Sequence, residues 1–163
     1  MNVEHTSTDT TSTDHPIRSL YQEVLIAWNQ QDAAGMAAYF EEVGNLVGFD
    51  GSQADSRADI EDHLRPIFAD HRTAAYVAKV REIRMLGRDV GILRAVAGLI
   101  PPNSEDINPA GSTIQTLVAV EGAGEWRAAL FQSTPAAWHG RPQDSAALTE
   151  ELRDVMRRGL TCL

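Results

Sequence analysis

Apolar residues recur at Ile17, Leu20, Tyr21, Val24, Leu25 and Trp28, a spacing of i, i+3, i+4, i+7, i+8 and i+11 that lays one broad apolar face along a helix. Asp14-His15-Pro16 supplies its start, since Asp caps well and Pro is tolerated in a first turn. Asn29-Gln30-Gln31-Asp32 interrupts the pattern, and Asp32 can cap a short second helix running from Ala33 to Phe40. Asn45 to Phe49 then reads as a short strand, closed by the turn pair Asp50-Gly51. Ser56-Arg57-Ala58-Asp59 resembles a capping box with Asp in place of the usual Glu or Gln. The helix it opens buries Ile60, Leu64, Ile67 and Phe68, and Pro66 is expected to kink it or loosen its hydrogen bonding near Asp62.

From there the period changes to that of strands: about 74–86, 90–100, 112–121 and 125–134. Gly87-Arg88-Asp89 and Gly122-Ala123-Gly124 are compact turns that predict two hairpins, while Pro101-Pro102 through Pro109 predicts a longer loop. The first strand alternates poorly, with Lys79, Arg81, Glu82 and Arg84 crowding its centre, which predicts a bulge or strong bend. Trp138-His139-Gly140-Arg141-Pro142 reads as a linker, and from Asp144 a last amphipathic helix carries Leu148, Leu152, Val155 and Met156 on one face. Helices first and a continuous sheet afterwards predict an α+β domain in which a curved antiparallel sheet wraps around N-terminal helices and leaves a pocket between them. The division follows: residues 1–14 as a disordered Ser/Thr/Asp-rich tail, 15–137 as the domain, and 138–163 as linker plus C-terminal helix.

Composition narrows the function classes. The 163 residues fit one domain, and the formal charge of −9 repels phosphate backbones, which argues against a nucleic-acid partner. The single cysteine, Cys162, cannot form an internal disulfide, as expected in a reducing compartment. No run of apolar residues is long enough for a membrane span, and the N-terminus lacks a signal peptide's basic and apolar regions; a cytoplasmic protein is expected.

The segments Trp28…Asp32…Phe40, Leu46-Val47-Gly48-Phe49-Asp50-Gly51, Ile60…His63…Phe68 and Trp126-Arg127-Ala128-Ala129-Leu130-Phe131-Gln132-Ser133-Thr134 together resemble the nuclear-transport-factor-2-like superfamily, and within it the SgcJ/EcaC group. Ser133 stands where that group usually has Asn. The resemblance covers roughly residues 16–135 and implies a cone-shaped, cystatin-like fold of the kind shared by ketosteroid isomerase, limonene-epoxide hydrolase and SnoaL-type cyclases. Members of the group accompany enediyne and other polyketide biosynthetic genes, so the resemblance implies a small apolar, polyketide-like ligand.

Two side chains are candidates for proton chemistry. His63 follows Ile60 by three residues and precedes Ile67 by four, at the edge of the apolar helical face, where an imidazole could move protons into a pocket or be a satisfied half-buried histidine. Asp50 beside Phe49 could be a carboxyl of raised pKa at a pocket mouth, as in ketosteroid isomerase, or plain turn chemistry. Gln115, Gln132 and Asn45 are candidate polar anchors for a ligand carbonyl or hydroxyl, or cross-strand pairs. Trp28, Tyr39, Phe49, Phe68 and Phe131, with Ile67, are the candidate apolar wall; a core is built from the same residues, and pattern alone does not separate the two. His71 and Arg72 read as helix-terminal cations. No spacing matches a metal site, a dinucleotide loop or a nucleophile elbow, so no metal or cofactor is expected.

Three functions fit: a cofactor-free isomerase or cyclase, a protein that sequesters or delivers the ligand, and an assembly module. The sheet strands are apolar on both faces, with Ile92, Val96 and Ile100 alternating against Leu93, Ala95 and Leu99. Both faces need cover, which predicts a homodimer unless the C-terminal helix packs across its own sheet.

Overall fold

A computed structural model describes residues 14–163; the predicted tail lies outside the described residues, apart from Asp14. The chain runs α1 (Pro16–Asn29), α2 (Ala33–Ala38), β1 (Phe40–Val47), β2 (Gln53–Ala54), α3 (Arg57–Asp70), β3 (Ala75–Met85), β4 (Val90–Ile100), β5 (Asn108–Gly122), β6 (Glu125–Pro135) and α4 (Pro142–Arg157). Side-chain caps set the helix starts. Asp32 accepts the Gly35 N–H at 2.9 Å and Ser56 the Asp59 N–H at 3.0 Å, as predicted. At α1 the cap is His15 rather than Asp14, its Nδ1 accepting the Ile17 N–H at 3.2 Å. The second helix stops at Ala38, short of the predicted Phe40. Phe40 instead opens β1, and Arg57 fixes its carbonyl with Nε at 2.9 Å and Nη2 at 2.8 Å.

The sheet order is β2-β1-β6-β5-β4-β3. It is mixed, not wholly antiparallel: β1 pairs in parallel with β6 and antiparallel with the two-residue β2. The predicted irregularity in β3 is a register shift between Val80 and Glu82 that leaves Arg81 as the extra residue. Similar shifts interrupt β1, β4 and β5, and together they bend the sheet around α1, α2 and α3. The inner core joins Ile17, Tyr21, Val24 and Leu25 of α1 to Leu93, Leu117 and Phe131 of the sheet.

The outer face has its own cover. Leu148, Leu152 and Val155 of α4 pack on Val77, Val96 and Ile107. Gly98 makes this approach possible, because a Cβ there would stand 3.1 Å from both Leu152 and Ile107. The last residues pair with the edge of β3: the Ala78 N–H donates to Thr161 O at 2.8 Å and the Val80 N–H to Leu163 O at 2.8 Å. That stretch of the edge is thereby closed to other strands.

An ion pair ties α4 down. Glu151 takes the Arg81 guanidinium on both carboxylate oxygens and Lys79 at 3.2 Å. Chiefly through the Arg81 hydrogen bond, and against some burial, this holds the Glu151 carboxyl down to about 2. A depressed folded-state pKa stabilises above the ordinary carboxylate value and loses that contribution as pH falls through the depressed one. Glu151→Gln is therefore expected to lower the melting temperature at pH 7, with the gap to wild type closing between pH about 4.5 and about 2. A gap of equal size at both ends of a melting series over that range would show that the ion pair adds nothing.

Candidate functional site

Between the helices and the inner sheet face lies a cavity of about 360 Å³. Trp28 of α1 forms one wall, its indole N–H donating to Ala74 O at 2.8 Å and its ring tilted against Tyr76 at 5.4 Å. Phe131 of β6 forms another. The turns of α3 bring His63, Leu64 and Ile67 onto one face over the opening, as their spacing requires. Phe49 and Asp50, from the turn after β1, complete the mouth; Gly51 holds φ at +89°, a conformation that suits glycine.

The predicted site residues thus divide. His63, Asp50, Trp28, Phe49, Ile67 and Phe131 line the cavity. Phe68 stands behind the wall, edge-on to Trp28 at 5.2 Å. Gln132 is exposed on the opposite sheet face, because side chains alternate along β6 and both Phe131 and Ser133 point inward. Asn45 lies outside the cavity, its amide donating to Asp55 at 3.4 Å, and Tyr39 donates its hydroxyl to Glu23 at 3.1 Å, also away from the cavity.

Gln115 takes the cross-strand alternative, facing Ser133 across β5 and β6, and adds a partner on α1 that the sequence did not suggest. It is wholly buried behind the cavity, and its amide links two hydroxyls. Tyr21 donates its O–H to Gln115 Oε1 at 2.5 Å, and Gln115 Nε2 donates to Ser133 Oγ at 3.2 Å. The chain of donors therefore runs from the core toward the cavity, and Ser133, already an acceptor, has its own proton to give, to the Tyr76 phenol or to a ligand. Linked donors polarise one another, which sharpens the Ser133 O–H. Tyr76 lines the same floor; burial pushes its phenol up, and the Ser133 hydroxyl beside it partly offsets this. Tyr21 is pushed up further, by complete burial and by the neighbourhood of Cys162 and Tyr76, so both phenols keep their protons at neutral pH.

Of the two readings of Asp50, the structure shows the turn chemistry and not the raised pKa. Its carboxyl is exposed and held below the ordinary carboxylate range, first by the Ser52 hydroxyl and backbone N–H, the latter at 2.9 Å, and less by the nearby His63. It is an ionised neighbour to the imidazole and not a carboxyl of raised pKa. His63 itself is half-buried and makes no hydrogen bond to another described residue. No cluster of potential metal ligands occurs among the described residues. Ser133, Tyr76, His71, Arg72 and Thr73 line the cavity without having been singled out for it; Phe131 was the available signal, since an inward Phe131 makes Ser133 inward too.

No family model matches the chain, and no curated protein does. Solved structures share its fold. A cystatin-like domain of unknown function from Nostoc punctiforme superposes with a TM-score of 0.69 at 18% identity, over 87% of this chain and 93% of that one. A ketosteroid isomerase-like protein from Erwinia carotovora atroseptica gives 0.61 at 16% identity, over 75% and 95%. An NTF-2 like protein of unknown function from Shewanella oneidensis gives 0.60 at 16%, over 73% and 96%. The fold is the cystatin-like, nuclear-transport-factor-2-like cone. No helix among the described residues is long and apolar enough to cross a membrane.

Proposed function

We propose that this chain is a cofactor-free enzyme of the isomerase or cyclase kind, moving a proton on a small apolar, polyketide-like carbonyl compound in enediyne or other polyketide biosynthesis in the cytoplasm. One observation carries the reading: a half-buried imidazole with no hydrogen-bond partner among the described residues and a pair of hydroxyls share one apolar cavity. His63 takes a proton from the carbon next to the carbonyl, the electron pair moves onto the carbonyl oxygen, and Ser133 and Tyr76 donate hydrogen bonds to that oxygen. Ionised Asp50 favours the imidazolium that forms. Returning the proton at another carbon isomerises the ligand; attack of the same carbon on a second carbonyl closes a ring. Trp28, Phe49, Ile67 and Phe131 exclude water and hold the apolar body. The likeness of the Val47-to-Gly51 run to the SgcJ/EcaC group supports the polyketide assignment.

The test is hydrogen–deuterium exchange at the α-carbon of 1-tetralone and 2-tetralone in heavy water, followed by NMR. Wild-type protein is expected to catalyse exchange and His63→Gln to lose on the order of a hundredfold or more. The absence of a partner orienting His63 favours a second reading, a non-catalytic binding protein. Tight tetralone binding without catalysed exchange would establish that reading in place of the first.

A homodimer enters the proposal only through the part of the outer sheet face beyond α4, where Ile92, Val118 and Leu130 are half-buried.

A further inference from the structure

We propose that the ligand of this cavity carries an anionic group, and that Arg72 binds it in a polar groove continuous with the cavity. The inference rests on the reading of the cavity as a small-ligand site and names the class of ligand. Arg72 and Thr73 line the cavity on one side and, on the other, a hollow of about 340 Å³ walled by Asn29, Gln31, Asn103 and Ser104. None of the residues lining that hollow is acidic, in a chain with 23 Asp and Glu against 14 Lys and Arg. Asp70, the nearest carboxylate in sequence, lies outside it and faces His71 Nδ1 at 3.6 Å.

Arg72 differs from the other cations. Nearly every Lys or Arg of this acidic protein is spent on a carboxylate or a carbonyl; leaving Arg18 aside, among the described residues only Arg72 and Arg88 make no such contact, and of these two exposed arginines only Arg72 stands at the cavity and the hollow. The backbone that carries Arg72 is fixed on both sides. Gln31 Nε2 donates to His71 O at 3.0 Å, and Trp28 Nε1 donates to Ala74 O at 2.8 Å. Asn29 binds the Tyr76 backbone through both amide atoms, at 3.0 and 2.8 Å. A rigid rim thus presents a free guanidinium, whose planar fork suits a carboxylate, at the point where an apolar cavity meets a groove without negative charge. An aromatic or polycyclic acid, with its ring body against Trp28 and its carboxylate on Arg72, fits both halves.

A matched pair of fluorescent probes tests this: N-phenyl-1-naphthylamine, which is neutral, and 8-anilino-1-naphthalenesulfonate, the same skeleton with a sulfonate. Both are titrated into wild-type protein and Arg72→Gln at low and high salt. The expected result is competition between the probes for one site. Arg72→Gln is expected to weaken the sulfonate about tenfold with the neutral probe unchanged, and salt to shrink that difference. A sulfonate affinity untouched by Arg72→Gln, or a sulfonate that the neutral probe fails to displace, overturns the anion site and leaves the cavity reading standing. Failure of the protein to take up either probe overturns both.

Discussion

Cutting the chain after Arg141 is expected to yield a protein that associates or unfolds. Three side chains, Leu148, Leu152 and Val155, leave the outer face, each at most 5% exposed in the intact chain. Burial of one such side chain is worth about 1.5–3 kcal/mol, so their sum is a large share of the roughly 5–15 kcal/mol that holds a domain of this size together. The cut also uncovers Val77, Val96 and Ile107 and frees the β3 edge that residues 161–163 now cap. An apolar sheet face beside an open edge is the surface on which chains pair. Light scattering and thermal melts on the full and shortened chains check this. A shortened chain that runs as a monomer with the melting temperature of the full one would mean that α4 is an ornament. If the full chain already runs as a dimer, its contact has to use the patch around Ile92, Val118 and Leu130.

The elements with a strong period were legible in the sequence. The i, i+3, i+4 spacing from Ile17 to Trp28 is α1, and the crowding of charge around Arg81 is the bulge in β3. What failed was non-local. Nothing near Phe40–Val47 says that this strand runs parallel to Ala128–Gln132, far along the chain, and β2 is two residues long, too short for any pattern. The cavity lining was legible where a helix or a turn carries it: His63 by its place on α3, Asp50 by its Asp-Gly turn. Asp50's pKa was not legible, since the hydrogen bonds from Ser52 depend on how the turn closes and the carboxyl stays in solvent. Gln132 was misplaced by one step, although a strand's period of two ties it to Phe131: once Phe131 is inside, Gln132 is out and Ser133 is in. Gln115 is the subtler case. Its side of the strand is the inner one, but only the meeting of Tyr21 on α1 with Ser133 on β6 makes its amide a link and not an anchor.

That link sets up the second large effect. Gln115→Glu keeps the shape of the side chain and replaces the amide with a carboxyl at a position with no exposure at all. When protonated, the new group still accepts from Tyr21 through one oxygen and donates to Ser133 through the other, so near pH 4 the fold is expected to be close to wild type in stability. When ionised, it stands desolvated with Tyr21 and a Ser133 hydroxyl turned back toward it as its donors, too few for a carboxylate cut off from water. Buried carboxyls of this kind reach pKa values of about 8–9. A raised folded-state pKa leaves stability intact below the unfolded value of about 4.3 and removes about 1.4 kcal/mol for each pH unit above it, until the folded group itself ionises. At pH 7 the deficit is expected to be about 4 kcal/mol, enough to unfold a marginal domain. Urea titrations of wild type and Gln115→Glu from pH 4 to 8 read this slope directly. An exchange series carried on past pH 8 bears on function: with the new carboxyl ionised Ser133 no longer offers its proton to the cavity, so tetralone exchange by the folded variant is expected to fall only as the pH passes about 8–9. A variant whose deficit is the same at pH 4 and pH 7 would place water, and not a sealed relay, around Gln115.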